Sequence, residues 1–472
     1  MGIGVASLTP ELIKKYDVQG SYYTSYPTGR QWTADFGPQD YQRGLEELLH
    51  DNPQTPLSVY LHLPFCLRRC RFCFCYTEVT RDREKIDAFL DVLFQEILLL
   101  RHLFDSLGVK PNVREIHLGG GSPSYLELDQ LEAVIESLRL LTDVEALDEF
   151  TLEADAVTVT PEKLLAYHEL GINRISFGIQ DFDEKVQQAI GRVQSPDFIA
   201  RLMTPEIRRH FKSINFDLMY GLPLQTRDSF RETMKRVVDL SPDRAAIYSY
   251  YHMPELYPHQ GAIQKADLPG VVDKALIFAD AAESFTQHGY ECIGIDHFSR
   301  PTDDLAVARN TGTLLRHFMG YTAGRTSHLL GLGPTSISGF GRYYAHNVYS
   351  MDEYRQAVLG GKLPILRGYQ TTEDDRVRWA VMSRFLAYMS VDFSEVEEQY
   401  GIEFSAYFSD ELAALEPFVD DGLVEWTDSG FQATDLGRLF ARHVCAAFDR
   451  YHAIEQRGRK GKFVPAIQRS QS

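Results

Sequence analysis

A chain of 472 residues exceeds one typical domain, so two or three units with substantial cores are expected. Its 48 Lys and Arg against 66 Asp and Glu leave a formal charge of −18, which argues against a nucleic-acid partner, because such partners leave a basic footprint. With 44% hydrophobic residues, no uninterrupted apolar run of about 18 and no charged-then-apolar leader, the expectation is a cytoplasmic protein without a membrane span.

Residues 1–55 read as an N-terminal arm. It holds one helical start, Thr9-Pro-Glu-Leu-Ile-Lys-Lys-Tyr, in which Thr9 is placed to cap and Pro10 to open the first turn. Farther on, Ser21-Tyr-Tyr-Thr-Ser-Tyr-Pro-Thr crowds three tyrosines together. Such rings are costly to leave in water, so a strap packed on the next domain is expected.

From Leu57 apolar runs alternate with amphipathic stretches. Strands are expected at 57–63, 113–118, 148–154, 174–180, 213–220 and 244–250, and helices at 82–103, 131–140, 161–170 and 182–190. This alternation implies right-handed crossovers and a parallel sheet. The predicted fold class is therefore α/β, a partial (β/α)6 TIM-like barrel spanning 56–345 with its extension, and chemistry belongs at the strands' C-terminal ends. A helix at 272–288, a strand-like run at 291–297 and a Gly/Ser/Thr-rich stretch at 300–345 complete it, the last suited to a lining over a ligand. Residues 346–472 form a small, mainly helical, winged-helix-like C-terminal domain with helices at 376–386, 394–400 and 406–418 and a hairpin at 421–434. Its acidity suits a lid better than a nucleic-acid reader. The basic tail 457–462 reads as a solvated end.

Chemistry concentrates in Cys66-Leu-Arg-Arg-Cys70-Arg-Phe-Cys73-Phe-Cys75. Three committed thiolates leave one iron of a [4Fe–4S] cluster open to a small molecule. Zinc is the competing reading, although zinc sites usually pair two Cys/His halves and no second half is visible. Disulfides fit poorly with such crowding. Cys292 and Cys445 lack metal-spaced partners and read as core residues. Gly119-Gly-Gly-Ser-Pro at a strand end leaves backbone N–H groups open to a ligand. Glu153, Gln180 and Asp217 end successive strands and Arg192 lies between the last two; singly, each reads as a cap or surface charge. His62 and His117 read as hydrogen-bonded core histidines, while His252, His297 and His317 lie nearer ligand-facing loops without an assigned role.

A Cys-x3-Cys-x2-Cys loop after a first strand resembles the signature of radical S-adenosylmethionine (SAM) enzymes, and Phe72-Cys73-Phe74-Cys75 narrows the resemblance to the oxygen-independent coproporphyrinogen III oxidase family. By that resemblance Cys66, Cys70 and Cys73 hold a [4Fe–4S] cluster, and Cys75 stands at a catalytic position without holding it. SAM chelates the open iron and is cleaved by one electron to a 5′-deoxyadenosyl radical. The implied cofactor-binding residues are Tyr60, Phe72, Gly120, Gly121, Glu153 and Gln180, followed by Arg192, Asp217, Tyr251 and Ile337. The implied reaction converts propionates of coproporphyrinogen III to vinyl groups in haem biosynthesis, with an electron donor such as flavodoxin or ferredoxin and a monomeric enzyme. Two alternatives stand beside it: a paralogue that methylates or cyclopropanates another substrate, and a haem-binding or trafficking protein. The chain departs from the family pattern at Tyr22, where the arm carries Arg; at Ala156-Val157, for Pro-Arg; at Gly191, for Asn; and at Tyr251, for a small residue beside a second SAM. These departures bear on the substrate and on whether that second SAM binds.

Overall fold

The computed structural model describes residues 8–17 and 21–452; the basic tail at 457–462 lies outside them. Six strands alternate with helices as the apolar spacing requires: β1 (Pro56–Leu63), β2 (Asn112–Gly120), β3 (Glu149–Ala154), β4 (Arg174–Gln180), β5 (Ser213–Tyr220) and β6 (Arg244–Ser249). Neighbours in this series pair in parallel. The crossover helices begin at side-chain caps that take up orphan N–H groups: Asp82 caps Arg83–Ser106, Thr160 caps Pro161–Glu169 and Thr226 caps Arg227–Leu240. Each helix lays an apolar face on the sheet.

Side-chain direction in the strands is the feature that makes the site. Along β1, Val59 and Leu61 are fully buried in the core, while the alternate Tyr60 and His62 line cavities within the barrel. The same period of two separates Ile116 and Leu118 from His117, Phe150 and Leu152 from Glu153, and Phe216 and Leu218 from Asp217. The barrel interior is polar, and the sheet's outer face carries the hydrophobic contact with the helices.

Beyond β6 the expected single strand at 291–297 is instead a hairpin, β7 (Glu291–Ile293) and β8 (His297–Ser299), with β8 antiparallel to β6. The break falls at Gly294, whose φ of +56° and lack of Cβ admit the Tyr321 ring. The Gly-rich stretch is likewise more ordered than a loop lining. It supplies helix Asp304–Thr311 and two strands of the main sheet, β9 (Leu329–Leu332) and β10 (Ile337–Phe340). β9 pairs parallel to β1 on the side away from β2. Gly331 permits this, because a Cβ there would lie 2.6 Å from the Ile337 carbonyl oxygen. The sheet runs on through β11 (Tyr343–Asn347) and β12 (Ile365–Gln370), giving the order β12-β11-β10-β9-β1-β2-β3-β4-β5-β6-β8-β7, an open barrel with a long extension. The division at 345/346 falls inside β11, and the sheet continues to Gln370.

The C-terminal region has helix Glu373–Tyr388, β13 (Ser390–Asp392), helix Phe393–Tyr400, and the hairpin β14 (Val424–Thr427) and β15 (Gly430–Ala433), with sheet order β13-β15-β14. Helix and three-stranded wing follow the winged-helix plan. The helix expected at 406–418 is three short ones, Phe404–Tyr407, Ser409–Ala413 and Glu416–Asp420, the last placing Pro417 in its first turn, where proline is tolerated. The arm holds a helix the sequence reading passed over, Pro38–Asp51, whose Tyr41, Leu45 and Leu49 recur at helical spacing and pack into the barrel core. The tyrosine strap lands on the C-terminal region: Tyr23 and Tyr26 join the core of Val381, Phe385 and Phe431, and the Tyr23 hydroxyl donates to Asp449 at 3.1 Å. No helix among the described residues is long and apolar enough to cross a membrane.

Candidate active site

The cysteine loop leaves β1 and is stitched to the barrel at four points. Arg71 donates through its backbone N–H to the Ile190 carbonyl and through Nη1 to the Ala189 carbonyl, both at 3.0 Å. From the loop after β6, His259 Nε2 donates to the Cys73 carbonyl at 2.7 Å and Gln260 Nε2 to the Phe72 carbonyl at 3.3 Å. Phe72 anchors the loop by burying its ring with Val186, Ile190, Met219 and Leu222.

Cys66, Cys70, Cys73 and Cys75 line a cavity of about 580 Å³, with Phe72, Gly120 and Gly121. Glu153, Gln180, Arg192, Asp217 and Tyr251 face the same space. Tyr60 and Ile337 line an adjoining chamber of about 870 Å³, which shares Cys75, Gly120 and Glu153 with the first. All fourteen cluster, catalytic and cofactor residues implied by the resemblance thus line one of two adjoining spaces.

Local backbone geometry aims these side chains. A bulge at Gly178/Gln180 in β4, with Gln180 at φ +66°, turns Gln180 out of register. Helix Glu184–Ile190 ends on Gly191 in the left-handed region (φ +71°), which delivers Arg192 into the cavity. Glycine and asparagine both favour that conformation, so Gly191 for Asn is conservative here. At the end of β2, a Cβ on Gly119 would lie 2.9 Å from the Glu153 carboxylate and one on Gly120 would lie 2.5 Å from the His62 ring. The glycines keep this wall at backbone level.

The thiols differ in environment. Burial pushes Cys66 up to about 12 and raises Cys70, while a hydrogen bond from Cys75 brings Cys73 down to about 7. Arg192 is the compensating cation: Nη1 lies 3.7 Å from Cys70 Sγ and Nη2 donates to Asp155 at 3.0 Å. A buried guanidinium beside the thiols favours their charged forms. A four-iron cluster takes one thiolate per iron, and three cysteines on one cavity wall with Arg192 behind them fit such a cluster.

The carboxylates divide their labour. Glu153 Oε1 accepts from His117 Nε2 at 2.9 Å and Oε2 from the Gly120 N–H at 3.3 Å. Burial opposes charge on both partners, but their mutual contact prevails: His117 is raised and Glu153 lowered. Asp217 is raised, by burial and then by the charge of Glu153, despite donors from Ser176 and Asn215 at 2.9 Å. An ionised acceptor and a more readily protonated one thus face the same space.

His62 and His117, read as core histidines, belong to the site. His62 Nε2 meets the Tyr76 carbonyl at 3.1 Å; a carbonyl only accepts, so Nε2 carries the proton and Nδ1 accepts from the Tyr60 hydroxyl at 3.2 Å. Burial holds His62 down to about 4, so it is neutral. The period-two alternation in β1 and β2 was the signal for both. His259, Gln260 and Asp155 had no comparable signal, since loop contacts create their roles. His252 instead pairs with Tyr250 at 2.9 Å, and His297 and His317 line a smaller chamber deeper in the barrel.

Tyr251 stands at a border. It lines the 580 Å³ cavity and a neighbouring one of about 470 Å³, with its ring edge-on to Tyr22 at 5.7 Å and the Lys274 ammonium 4.8 Å from its centroid. Arg442 from the C-terminal region lies 3.8 Å over the Tyr22 ring, so a guanidinium is present beside the position where the arm lacks one.

The family model of the radical SAM superfamily matches residues 60–237, and that of the HemN C-terminal domain matches 371–440. An oxygen-independent coproporphyrinogen III oxidase of Escherichia coli is 38% identical over 456 residues, covering 97% of this chain and 98% of that relative. One of Pseudomonas aeruginosa is 37% identical over 446 residues, covering 93% and 95%. The solved structure of coproporphyrinogen III oxidase (HemN) from Escherichia coli, described as a radical SAM enzyme, superposes with a TM-score of 0.85 at 39% identity, over 93% of this chain and 98% of that one.

Proposed function

Because this chain belongs to the radical SAM superfamily and, within it, to the oxygen-independent coproporphyrinogen III oxidase family, we propose that it oxidatively decarboxylates coproporphyrinogen III propionates to vinyl groups. One observation carries the reading: the thiol-lined cavity shares Cys75, Gly120 and Glu153 with an adjoining chamber of about 870 Å³, within the size range of small-molecule sites.

The [4Fe–4S] cluster and SAM of this superfamily would supply, when bound, the one-electron chemistry that takes a hydrogen atom from a propionate, which then loses CO2 and passes its remaining unpaired electron to a separate one-electron acceptor. The chain's own residues arrange that event. Cys66, Cys70 and Cys73 supply the cluster thiolates, and Arg192, held by Asp155, balances their charge. Gly120 and Gly121 present backbone to SAM, while Glu153, Gln180 and Asp217 provide acceptors and donors along it. Tyr60 and His62, locked to each other by hydrogen bond, border the chamber in which the tetrapyrrole sits. Cys75, outside the cluster set, stands at the boundary between the two spaces, against both reactants.

Because electrons are delivered singly, the donor is a small one-electron carrier of the flavodoxin or ferredoxin class. We assign the enzyme as a cytoplasmic monomer whose acidic C-terminal region closes the barrel mouth and binds no nucleic acid. The deciding assay is anaerobic turnover of coproporphyrinogen III by reconstituted enzyme, with vinyl groups, CO2 and 5′-deoxyadenosine counted by mass spectrometry. Two deoxyadenosines per divinyl product are expected; deoxyadenosine without CO2 release would sink the oxidase reading.

A further inference from the structure

Between Cys66 and Cys75 the chain carries Arg68, Arg69 and Arg71 and no acidic residue, on a protein whose formal charge is −18. Asp155 lies against the loop, where it takes Arg192 at 3.0 Å and stands 3.8 Å from Arg68. Arg69 and Arg71 donate to backbone carbonyls, those of Thr77 and Ala189, which orient the guanidinium groups without cancelling their charge. Lys185, exposed, stands one turn before Ala189 on the same helix. The cysteine loop is a basic island on an acidic molecule.

Two exposed apolar side chains flank that island. The short strands Phe65–Cys66 and Glu78–Val79 pair in parallel with Cys66 opposite Val79. Glu78 lines the 870 Å³ chamber, so Val79, next along the strand, faces the other way, and it is 45% exposed. On the other flank Val193 is 53% exposed and follows Arg192, whose Nη1 lies 3.7 Å from Cys70 Sγ. The Arg71 stem runs over Gly191, where a Cβ would lie 3.7 Å from Arg71 Cγ, and so sits two positions from Val193. Arg71, Val79, Lys185 and Val193 are exposed and stand apart from the residues lining the two cavities, on the outer surface of the loop.

SAM and the tetrapyrrole take the inner side of the loop in the reading above, so a protein that delivers electrons must approach the outer side. Electron transfer falls steeply with distance, and here Val79 is paired to Cys66 while Val193 is one residue from the side chain at Cys70. Electron-transfer encounters use small interfaces, for which a few apolar side chains within a charged rim suffice.

We propose that Arg71, Val79, Lys185 and Val193 form the docking face for the electron donor, and that the donor is a one-electron carrier protein with an acidic surface. The inference rests on the reading that a carrier of the flavodoxin or ferredoxin class feeds this enzyme. Opposite charge steers the encounter, and the two valines seat the carrier beside the thiols. At each encounter the reduced carrier loses one electron and the cluster gains it, with no bond made or broken at the interface.

The test uses reconstituted holoenzyme under anaerobic conditions with two probes, an acidic flavodoxin and an acidic ferredoxin. Each is titrated in its oxidised form for Kd, then reduced to drive 5′-deoxyadenosine formation from SAM, with dithionite as a donor that needs no docking. At least one carrier is expected to bind wild type, with Kd weakening severalfold from low salt to about 0.3 M. The double variant Val79→Glu/Val193→Glu should weaken Kd about 10-fold and slow carrier-driven cleavage in step, while iron content and dithionite-driven cleavage hold at the wild-type level. Val79→Lys/Val193→Lys loses the same apolar surface but keeps the sign of the charge, so it should bind severalfold more tightly than the glutamate pair. Wild-type affinity in the glutamate pair, or lysine and glutamate pairs that are equally weak, overturns the docking face while the carrier reading stands. Wild-type enzyme that turns over with dithionite but binds and accepts electrons from neither carrier overturns both. Should the glutamate pair fail to retain iron, Lys185→Glu decides: a Kd equal to wild type's overturns the proposal, and a severalfold weakening supports it.

Discussion

The two ends of the barrel strands use the same residue types to opposite purpose. Glu149 and Glu153 sit four residues apart in β3 and point into the same interior. At the base, Glu149 lies 2.8 Å from Arg174 Nε, Arg174 Nη2 lies 2.5 Å from Asp304, and Arg244 Nε donates to Asp303 at 2.7 Å. Thr151, Ser213 and Arg325 close further gaps in this network. At the mouth, Glu153 has one histidine and one backbone N–H, Asp217 has two neutral donors, and both face open space. Buried charges paired with one another hold a structure together; charges that line a cavity are placed to meet what enters it.

That contrast is open to attack, and the largest effect is expected at the mouth. Protein carrying Cys66, Cys70 and Cys73 all replaced by alanine should fold, bind no cluster iron and cleave no SAM. Deoxyadenosine above background would defeat the cluster assignment. At the base, Arg174→Met leaves Glu149 and its neighbours charged without their partner, so urea unfolding should show a loss of about 3–5 kcal/mol. A loss below about 1 kcal/mol would mean that the network contributes nothing particular. Glu153→Gln should do the reverse, lowering SAM cleavage about 10²-fold, as loss of one preorganised polar contact does, while the unfolding midpoint barely moves. If stability falls and cleavage survives, Glu153 belongs with the base.

A pH titration separates the ends further. Burial opposes charge on Glu149, but Arg174, Arg244 and Arg325 outweigh it and carry the group from its ordinary 4.5 down to about 2. The folded state then stays deprotonated where the unfolded chain takes up a proton. Its stabilisation is full above about pH 4.5 and disappears as pH falls through about 2. Unfolding measured across that window in wild type and Glu149→Gln should show a shallower acid limb in the variant; identical limbs would place the lost stability elsewhere. The smallest effect concerns Tyr251, whose ring borders two cavities. Tyr251→Ala should raise the SAM bound per chain at saturation, since overfilling a site costs about 1–3 kcal/mol. Unchanged stoichiometry would show that the ring is no barrier to a second molecule.

Much of the mouth was legible because its signals are local. The Cys-x3-Cys-x2-Cys spacing, the Gly119–Gly121 run and the residues ending β3, β4 and β5 depend on a few neighbouring positions and on strand polarity. The base was less legible: Arg174, Arg244 and Asp303 each look like an ordinary charge at an element's edge, and only strand pairing stacks them. His62 and His117 were placed in the core because their strands read as apolar runs, whereas the alternation with Val59, Leu61, Ile116 and Leu118 directs them inward.

The sequence by itself determined the chemistry of the cysteine loop and the βα rhythm that sets it above a parallel sheet, because spacing along the chain governs both. Tertiary structure alone decided what lies beside that loop. Pairing between distant segments inserted β9 next to β1, ran the sheet on through β10 to β12, and turned the tyrosine strap onto the C-terminal core. It also laid Arg442 over Tyr22, more than four hundred positions away. No local pattern encodes such partners, since each side chain meets a neighbour chosen by register and packing rather than by sequence distance.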